Sequence, residues 1–273
     1  VRKESDMKRI TSARCINCIP EVVPKKRSNN KKLKLLITNK RIDWGFKRSI
    51  LMIQSRLQQI MRRTGDKVLL ITSTIPAEGK TMTSVNMALA FAQEGMKVAL
   101  LDGDLRKPSV SELMKLPEGP GLTEYFRGES TPEEIQVVKD GVTFFRAGQK
   151  KGKVSGLIDE EKMNSLLEKL RKEYDVILMD AAPSYVFSDA MILSSYADKV
   201  LYVVRVDKAD AKEIRVGMNS FEEKEKLIGY VINRDTGGYI SQSGYGYGRY
   251  GKYQKYRKYA ELDEETMNTE DTL

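Results

Sequence analysis

The chain has 273 residues, 40% of them hydrophobic, which suffices for one large α/β domain or two small ones and excludes disulfide miniproteins and collagen-like fibres. Histidine is absent, so Ser-His-Asp and Cys-His catalysis, His-ligated zinc and imidazole proton shuttling are excluded, and acid/base work falls to carboxylates, lysine or tyrosine. The formal charge of +9 is uneven: residues 1–67 hold nineteen Lys/Arg against five Asp/Glu, a balance of +14, so the remainder is net acidic at −5.

Residues 1–40 read as a basic segment and linker ahead of the folded domain. They contain Cys15-Ile16-Asn17-Cys18, a Cys-x-x-Cys with no further cysteine or histidine to complete a zinc site, and two thiols fit a reducing compartment. The run from Lys25 to Lys34 is too polar and like-charged to pack. It can serve as a solubility tether, lie against anionic phospholipid, where each basic residue contributes about 1 kcal/mol, or meet nucleic acid. No window approaches the roughly 18–20 apolar residues that a membrane helix needs.

A domain over 41–235 opens with a helix from about Asp43 to Arg63. Short apolar runs then alternate with amphipathic stretches: Val68–Thr72, a helix from Lys80 to about Glu94, Val98–Leu101, Val142–Phe145, a helix over Glu160–Tyr174, Val176–Met179, Val200–Val204, a helix over Ala209–Lys226, and Leu227–Ile232. Continuously apolar strands alternating with helices predict an α/β fold with a mainly parallel sheet covered on both faces. Such sheets bind ligands at the carboxyl ends of their strands.

The first of these strands runs into Ser73-Thr74-Ile75-Pro76-Ala77-Glu78-Gly79-Lys80-Thr81, which opens a helix. A phosphate loop requires this strand-loop-helix setting. Backbone amides and the helix N-terminus attract phosphate oxygens, Lys80 can reach the terminal phosphates, and the Thr81 hydroxyl can ligate Mg2+. The first glycine of the general Gly-x-x-x-x-Gly-Lys-Ser/Thr pattern falls at Thr74, so only Gly79-Lys80-Thr81 is intact. Two acidic clusters follow at predicted strand ends, Asp102-Gly103-Asp104-Leu105-Arg106-Lys107-Pro108 and Asp180-Ala181-Ala182-Pro183. Mg2+ on nucleotide phosphates prefers carboxylates and water, although an aspartate in a βα turn is also an ordinary helix cap.

From Tyr239 to Tyr259 the chain carries seven of its thirteen tyrosines among glycine, lysine and arginine, with Ile240 the one aliphatic residue. Residues 236–273 therefore read as a flexible tyrosine-rich tail. Interleaved aromatic and basic residues are also what single-stranded nucleic acid prefers. Residues 239–259 hold five Lys/Arg and no acid; phosphates of about −1.5 to −2 each would swing them strongly negative.

These motifs resemble the bacterial protein-tyrosine kinases that regulate capsule and exopolysaccharide synthesis, relatives of the MinD/ParA P-loop ATPases. Gly79-Lys80-Thr81 matches that family's Walker A end, Leu100–Pro108 its Walker A′ and Ile177–Asp180 its Walker B. Val231-Ile232-Asn233-Arg234 resembles the segment that contacts adenine, and the tyrosine-rich tail resembles the autophosphorylation cluster. The extra lysine that MinD and ParA carry near the start of the loop is absent from residues 72–78. Four stretches depart from the family pattern: Pro76-Ala77, where Pro-Gly is usual; Ala181-Ala182 after Asp180; Lys153–Ile158; and Trp44, Lys47 and Ile50 at the positions of the Glu-x-x-Arg-x-x-Arg motif used for ring assembly.

The resemblance implies transfer of the γ-phosphoryl of ATP, with Mg2+, to Tyr245, Tyr247, Tyr250, Tyr253, Tyr256 and Tyr259, chiefly of a neighbouring copy. Ala77, Glu78, Gly79, Lys80, Thr81, Met82, Asn233 and Arg234 are then the nucleotide residues. Thr81, Asp102 and Asp180 hold the metal, and Lys80, Asp102, Asp104 and Asp180 are catalytic. A free tyrosine has a pKa near 10, so a carboxylate must take its proton, and Asp102 is the choice. The implied partners are other copies in an oligomer, a transmembrane activator of the polysaccharide co-polymerase type and the inner membrane leaflet, with the chain as a fragment of a membrane protein at the cytoplasmic face. The opposing reading is an ATP-binding switch controlling the same machinery without efficient phosphotransfer.

Overall fold

The computed structural model describes residues 1, 4–22, 35–149, 156–222 and 225–236. In chain order these form α1 (Glu4–Met7), β1 (Cys15–Pro20), α2 (Trp44–Thr64), β2 (Val68–Ser73), α3 (Lys80–Gln93), β3 (Val98–Asp102), α4 (Val110–Met114), α5 (Leu122–Arg127), β4 (Gln136–Lys139), β5 (Val142–Phe145), α6 (Glu160–Glu173), β6 (Val176–Asp180), α7 (Asp189–Tyr196), β7 (Lys199–Arg205), α8 (Ala211–Glu222) and β8 (Leu227–Asp235). The Lys25–Lys34 run and the tail tyrosines lie outside the described residues.

The eight strands join one sheet in the order β1-β8-β7-β2-β6-β3-β5-β4, all neighbours parallel except β4 and β5. Every residue of β2, β3 and β6 is buried. Alternate residues of a strand face opposite ways, so both faces at the centre of the sheet are covered, as continuous apolar runs require. Leu69, Ile71, Leu100, Leu178, Leu201 and Val203 share a core with Val85, Ala88 and Leu89 of α3.

Helix α2 buries Phe46, Ile50, Ile53, Leu57 and Met61, a stripe at three- and four-residue spacing, and packs on β1 and α3. Asp43 caps it by accepting from the Gly45 and Phe46 amides, and Gly65 ends it in the left-handed region at φ 75°. Of the three positions of the ring motif, Ile50 is fully buried, so it packs into this chain's own core, while Trp44 is exposed with the Arg48 guanidinium over its ring.

The expected boundary at residue 40 moves. Cys15–Pro20 is the edge strand of the sheet, with Ile19 opposite Asn233, because Ile16, Cys18 and Ile19 bury against β8. Proline is tolerated there because it ends an edge strand. Residues three apart on a strand point to opposite faces, so Cys15 is half-buried and Cys18 buried rather than the two converging. Further along, Asn86 of α3 fastens the incoming chain: its Nδ2 donates to Leu35 O and Met82 O, each at 2.8 Å, and its Oδ1 accepts from Ile37 N at 2.9 Å. The N-terminal segment is thus bonded to the helix that opens with Lys80.

A second clip holds the opposite end of β2. Asp198 accepts from the Lys67 and Val68 amides, both at 2.8 Å, and from both terminal nitrogens of Arg171. Burial alone would raise the Asp198 pKa, but Arg171 and the two amides outweigh it and hold the carboxyl below its usual range. A lowered folded-state pKa gives stability that is present above the unfolded value and lost as pH falls through the folded one. Asp198→Ala is expected to cost about 2–3 kcal/mol at pH 7, read by urea denaturation, with the gap to wild type closing below about pH 4.

Candidate active site

The loop from Thr74 to Gly79 leaves β2 and delivers Lys80 and Thr81 to the first turn of α3. Its shape comes from Glu78, whose buried carboxylate turns inward. Oε2 accepts from Ile75 N at 2.8 Å and Oε1 from Arg205 N at 3.2 Å. Burial raises the Glu78 pKa against these donors. The Glu78 carboxylate is thus taken up by backbone amides of the loop and of β7, so its side chain is a brace rather than a contact to phosphate.

Gly79 stands at φ 98°, and a Cβ there would lie 2.1 Å from Asn233 Nδ2. Asn233 donates to Glu78 O at 2.7 Å, so the end of β8 closes on the loop. Its neighbour Arg234 is exposed and pairs with Glu21, just beyond β1, at 3.7 Å. Ala77 occupies the left-handed region at φ 68°, where the family's usual residue is glycine and an L side chain costs about 1–2 kcal/mol. Ala77→Gly relieves that strain but adds freedom to the unfolded chain, so a net gain of up to about 1 kcal/mol in thermal or denaturant stability is expected.

The three sequence-predicted aspartates meet at this loop. β3 and β6 pair with Asp102 directly opposite Asp180. Gly103 N donates to Asp180 O at 2.8 Å, a closeness a Cβ at 103 would disturb because it would stand 2.8 Å from Leu193 Cδ1. Lys80 Nζ lies 2.7 Å from Asp104 Oδ2 and 3.6 Å from Asp180 Oδ2. Thr81 Oγ1 donates to Asp180 Oδ2 at 2.7 Å, and Ser84 Oγ donates to the other oxygen at 2.9 Å. Asp104 also accepts from Lys107 N, and Asp102 Oδ2 from Val110 N at 3.1 Å, so both do cap the following turn as well.

Electrostatics set these groups apart. Burial would lower the Lys80 pKa, but Asp180, Asp104 and Asp102 outweigh it and raise it, so the ammonium persists. Burial raises Asp180 against Lys80, Thr81 and Ser84. Asp102 is raised furthest, by burial and then by the Asp180 charge, and its Oδ1 is buried with no hydrogen-bond partner. Three carboxyls face one ammonium, and an orphaned carboxylate oxygen stands beside a Thr–Asp pair. That donor set fits Mg2+, which takes one or two carboxylates and fills its remaining positions with water and phosphate oxygens.

A cavity of about 690 Å³ opens over the loop, and Asp104, Arg106 and Phe187 line it together with the loop residues from Pro76 to Met82 other than Glu78. The structure thus brings Ala77 to Met82, Asp102, Asp104 and Asp180 together and sets Asn233 behind the loop. Ser84, Arg205, Asp189 and Phe187 were not singled out. Ser84 was findable, since it lies one helical turn after Lys80; the others come from distant strands and loops that no local pattern joins to the site.

Fold and loop define a P-loop NTPase of the MinD/ParA type, a class that takes a nucleotide and usually Mg2+. A family model described as ParA, NUBPL iron-transfer P-loop NTPase, matches residues 65–212. The chain is 34% identical over 184 residues to the tyrosine-protein kinase CpsD of Streptococcus pneumoniae, covering 63% of this chain and 78% of that protein. It is 32% identical to the tyrosine-protein kinase YwqD of Bacillus subtilis, over 66% and 77% of the two chains. The kinase domain of the Escherichia coli tyrosine kinase ETK superposes with a TM-score of 0.73 at 26% identity, over 81% of this chain and 90% of that one. MinD of Pyrococcus horikoshii, solved with Mg-ADP, shares the fold at a TM-score of 0.53 and 22% identity. The chain belongs to the bacterial tyrosine-protein kinases of the ParA-like P-loop NTPases. It spans only 25% of the length of another such relative, the kinase ptk of Acinetobacter johnsonii. Among the described residues, no helix is long and apolar enough to cross a membrane.

Proposed function

We propose that this chain is an ATP- and Mg2+-dependent protein-tyrosine kinase that phosphorylates Tyr245, Tyr247, Tyr250, Tyr253, Tyr256 and Tyr259 of a neighbouring copy. By that means it regulates capsular or exopolysaccharide polymerisation and export at the cytoplasmic face of the membrane. The observation that carries the reading is the convergence of Lys80, Thr81, Asp102, Asp104 and Asp180 in a chain whose residues 239–259 hold seven tyrosines.

Bound Mg-ATP supplies the phosphoryl group and part of the charge neutralisation. The residues do the rest. The loop amides of Ala77 to Met82 and the start of α3 hold phosphate oxygens, and Asn233 and Arg234 border the base. Thr81, Asp102 and Asp180 form the Mg2+ side of the site. Lys80 is drawn from Asp104 toward the developing negative charge. The incoming phenol oxygen forms its bond to phosphorus as the bond to the ADP oxygen breaks, and the phenol proton passes to Asp102. Asp102 is fully buried and its Oδ1 has no hydrogen-bond partner, which leaves a lone pair for that proton.

The basic stretch through Lys34 fits an anionic leaflet, and the bonding of residues 35–37 to α3 supports a membrane-linked activator acting through it. The deciding experiment incubates the protein with Mg-ATP and maps phosphotyrosine by intact mass and peptide sequencing. Several phosphates between Tyr245 and Tyr259 are expected. An unmodified tail on a protein that binds ATP would overturn the kinase reading in favour of a nucleotide switch.

A further inference from the structure

Beyond the phosphate loop, the cavity ends on an aromatic ring. Phe187 is half-buried and lines the cavity together with Lys80, Thr81 and Asp104. The Arg106 guanidinium sits 4.5 Å from its ring centroid. Arg106 is itself held by Asp189, 6% exposed, through Nε to Oδ2 and Nη2 to Oδ1. The segment that carries Phe187 is tied to the loop's own strand: Ser184 N donates to Ser73 O at 2.8 Å, Tyr185 N to Thr74 O at 3.3 Å and Phe187 N to Pro183 O at 3.1 Å. These bonds and the Arg106–Asp189 pair fix the segment that carries the ring.

The segment that carries this ring also holds exposed apolar side chains. Of the six large hydrophobic side chains exposed among the described residues, Tyr185, Val186 and Ile192 lie within eight residues of one another around Phe187. Exposed apolar side chains gathered in one segment next to a cavity-lining ring offer an apolar partner somewhere to pack. The chain's own acceptor segment restricts what that can be. Residues 239–259 offer no apolar side chain except Ile240 and the tyrosines, so apolar recognition of this segment must be recognition of phenol rings. The same segment carries five Lys/Arg and no acid, and Asp189 pairs with Arg106, so the guanidinium against Phe187 adds no net charge there, while Lys107 stands nearby in the same cavity.

We propose that Phe187, backed by the Arg106–Asp189 pair, is the acceptor-tyrosine subsite: a phenol ring from residues 239–259 packs on Phe187, with Tyr185, Val186 and Ile192 receiving the flanking chain. The inference rests on the kinase reading and adds no chemical step to it. Phe187 is a specificity-determining residue, and Arg106 and Asp189 are positioning residues that act through it. Ring packing explains selection of tyrosine over serine, since a hydroxyl on a short side chain finds no partner for an aromatic wall.

The test uses the full chain loaded with Mg-ADP and a fluorescently labelled peptide of residues 239–259, read by anisotropy, beside the same peptide with every tyrosine replaced by alanine. Wild type should bind the tyrosine peptide and bind the alanine peptide at least tenfold more weakly. Phe187→Ala should weaken tyrosine-peptide binding about tenfold, as loss of an aromatic contact and its buried area implies, and Phe187→Tyr should restore it. If the alanine variant fails to fold, Phe187→Leu keeps the volume without the ring and should show an intermediate loss. With Mg-ATP, the acceptor KM should rise in the same order while the KM for ATP moves less than twofold. Binding indifferent to Phe187, or a Phe187→Ala variant that changes only the oligomeric mass, overturns the subsite and assigns the patch to a copy interface. Absence of phosphate transfer by a wild type that still binds the peptide through Phe187 overturns the kinase reading instead, so the two failures are distinct.

Discussion

Lys80→Met is expected to lower phosphate transfer to the tail by about 10³-fold or more, since a single cationic group aimed at a transferring phosphoryl is worth that much in a water-poor site. Lys80 is the only cation within 4 Å of Asp104 and Asp180 among the described residues, at 2.7 and 3.6 Å. Removing it does a second thing. Three carboxyls that it balances, all nearly or wholly buried, are left facing one another, and uncompensated buried charge costs about 3–5 kcal/mol. The variant should therefore be less stable without metal, and Mg2+ alone should recover more stability in it than in wild type. Thermal denaturation with and without Mg2+, alongside phosphotyrosine mapping, separates the two effects. Transfer within tenfold of wild type from a folded Lys80→Met protein would mean that Lys80 is only a structural counter-charge.

Asp102→Asn should move stability and activity in opposite directions. Asp102 is fully buried, keeps one hydrogen bond from Val110 N and leaves Oδ1 without a partner beside Asp180. An unpaired buried carboxylate is costly, and asparagine keeps an acceptor for Val110 while offering a donor to Asp180. The metal-free variant is expected to gain about 1–2 kcal/mol at pH 8. The direction with pH follows from the raised carboxyl pKa: its stabilising contribution is full below the unfolded value and lost as pH rises through the folded one. The advantage of the variant should accordingly shrink toward pH 4 and grow toward pH 8 in urea denaturation. Phosphate transfer should fall about 10²–10⁴-fold, the usual worth of a positioned general base. Equal transfer by the two proteins would remove Asp102 from the proton-accepting role.

Much of this molecule can be read along the chain. The apolar runs at Val68–Thr72, Val98–Leu101, Val142–Phe145 and Val176–Met179 became strands within a residue of their expected ends, because a strand buried on both faces must be apolar throughout. The helix after Gly79 follows from the phosphate-loop pattern, and the helix expected from about Asp43 to Arg63 forms as Trp44–Thr64. Short elements escaped: α4 and α5 span five and six residues, too few for a period to show, and β4 is an edge strand with exposed residues. The strand at Cys15–Pro20 escaped for another reason, since its basic surroundings outweighed six residues of apolar pattern.

Composition and local pattern limit which residues can do chemistry in this chain. Without histidine, acid/base work falls to carboxylates, lysine and tyrosine, and Gly79-Lys80-Thr81 with aspartates at two strand ends marks where phosphate is expected. The tertiary structure alone decided how they meet. The pairing of β3 with β6 places Asp102 opposite Asp180, the closure of β8 brings Asn233 onto Gly79, and Glu78 proves to brace the loop through Arg205 of β7. Arg106, Asp189 and Phe187 form one unit although 83 positions separate the first two. A local pattern carries period and capping, which depend on neighbours along the chain. Strand register and loop closure depend on side chains far apart in sequence competing for one buried volume, and only the folded sheet resolves that competition.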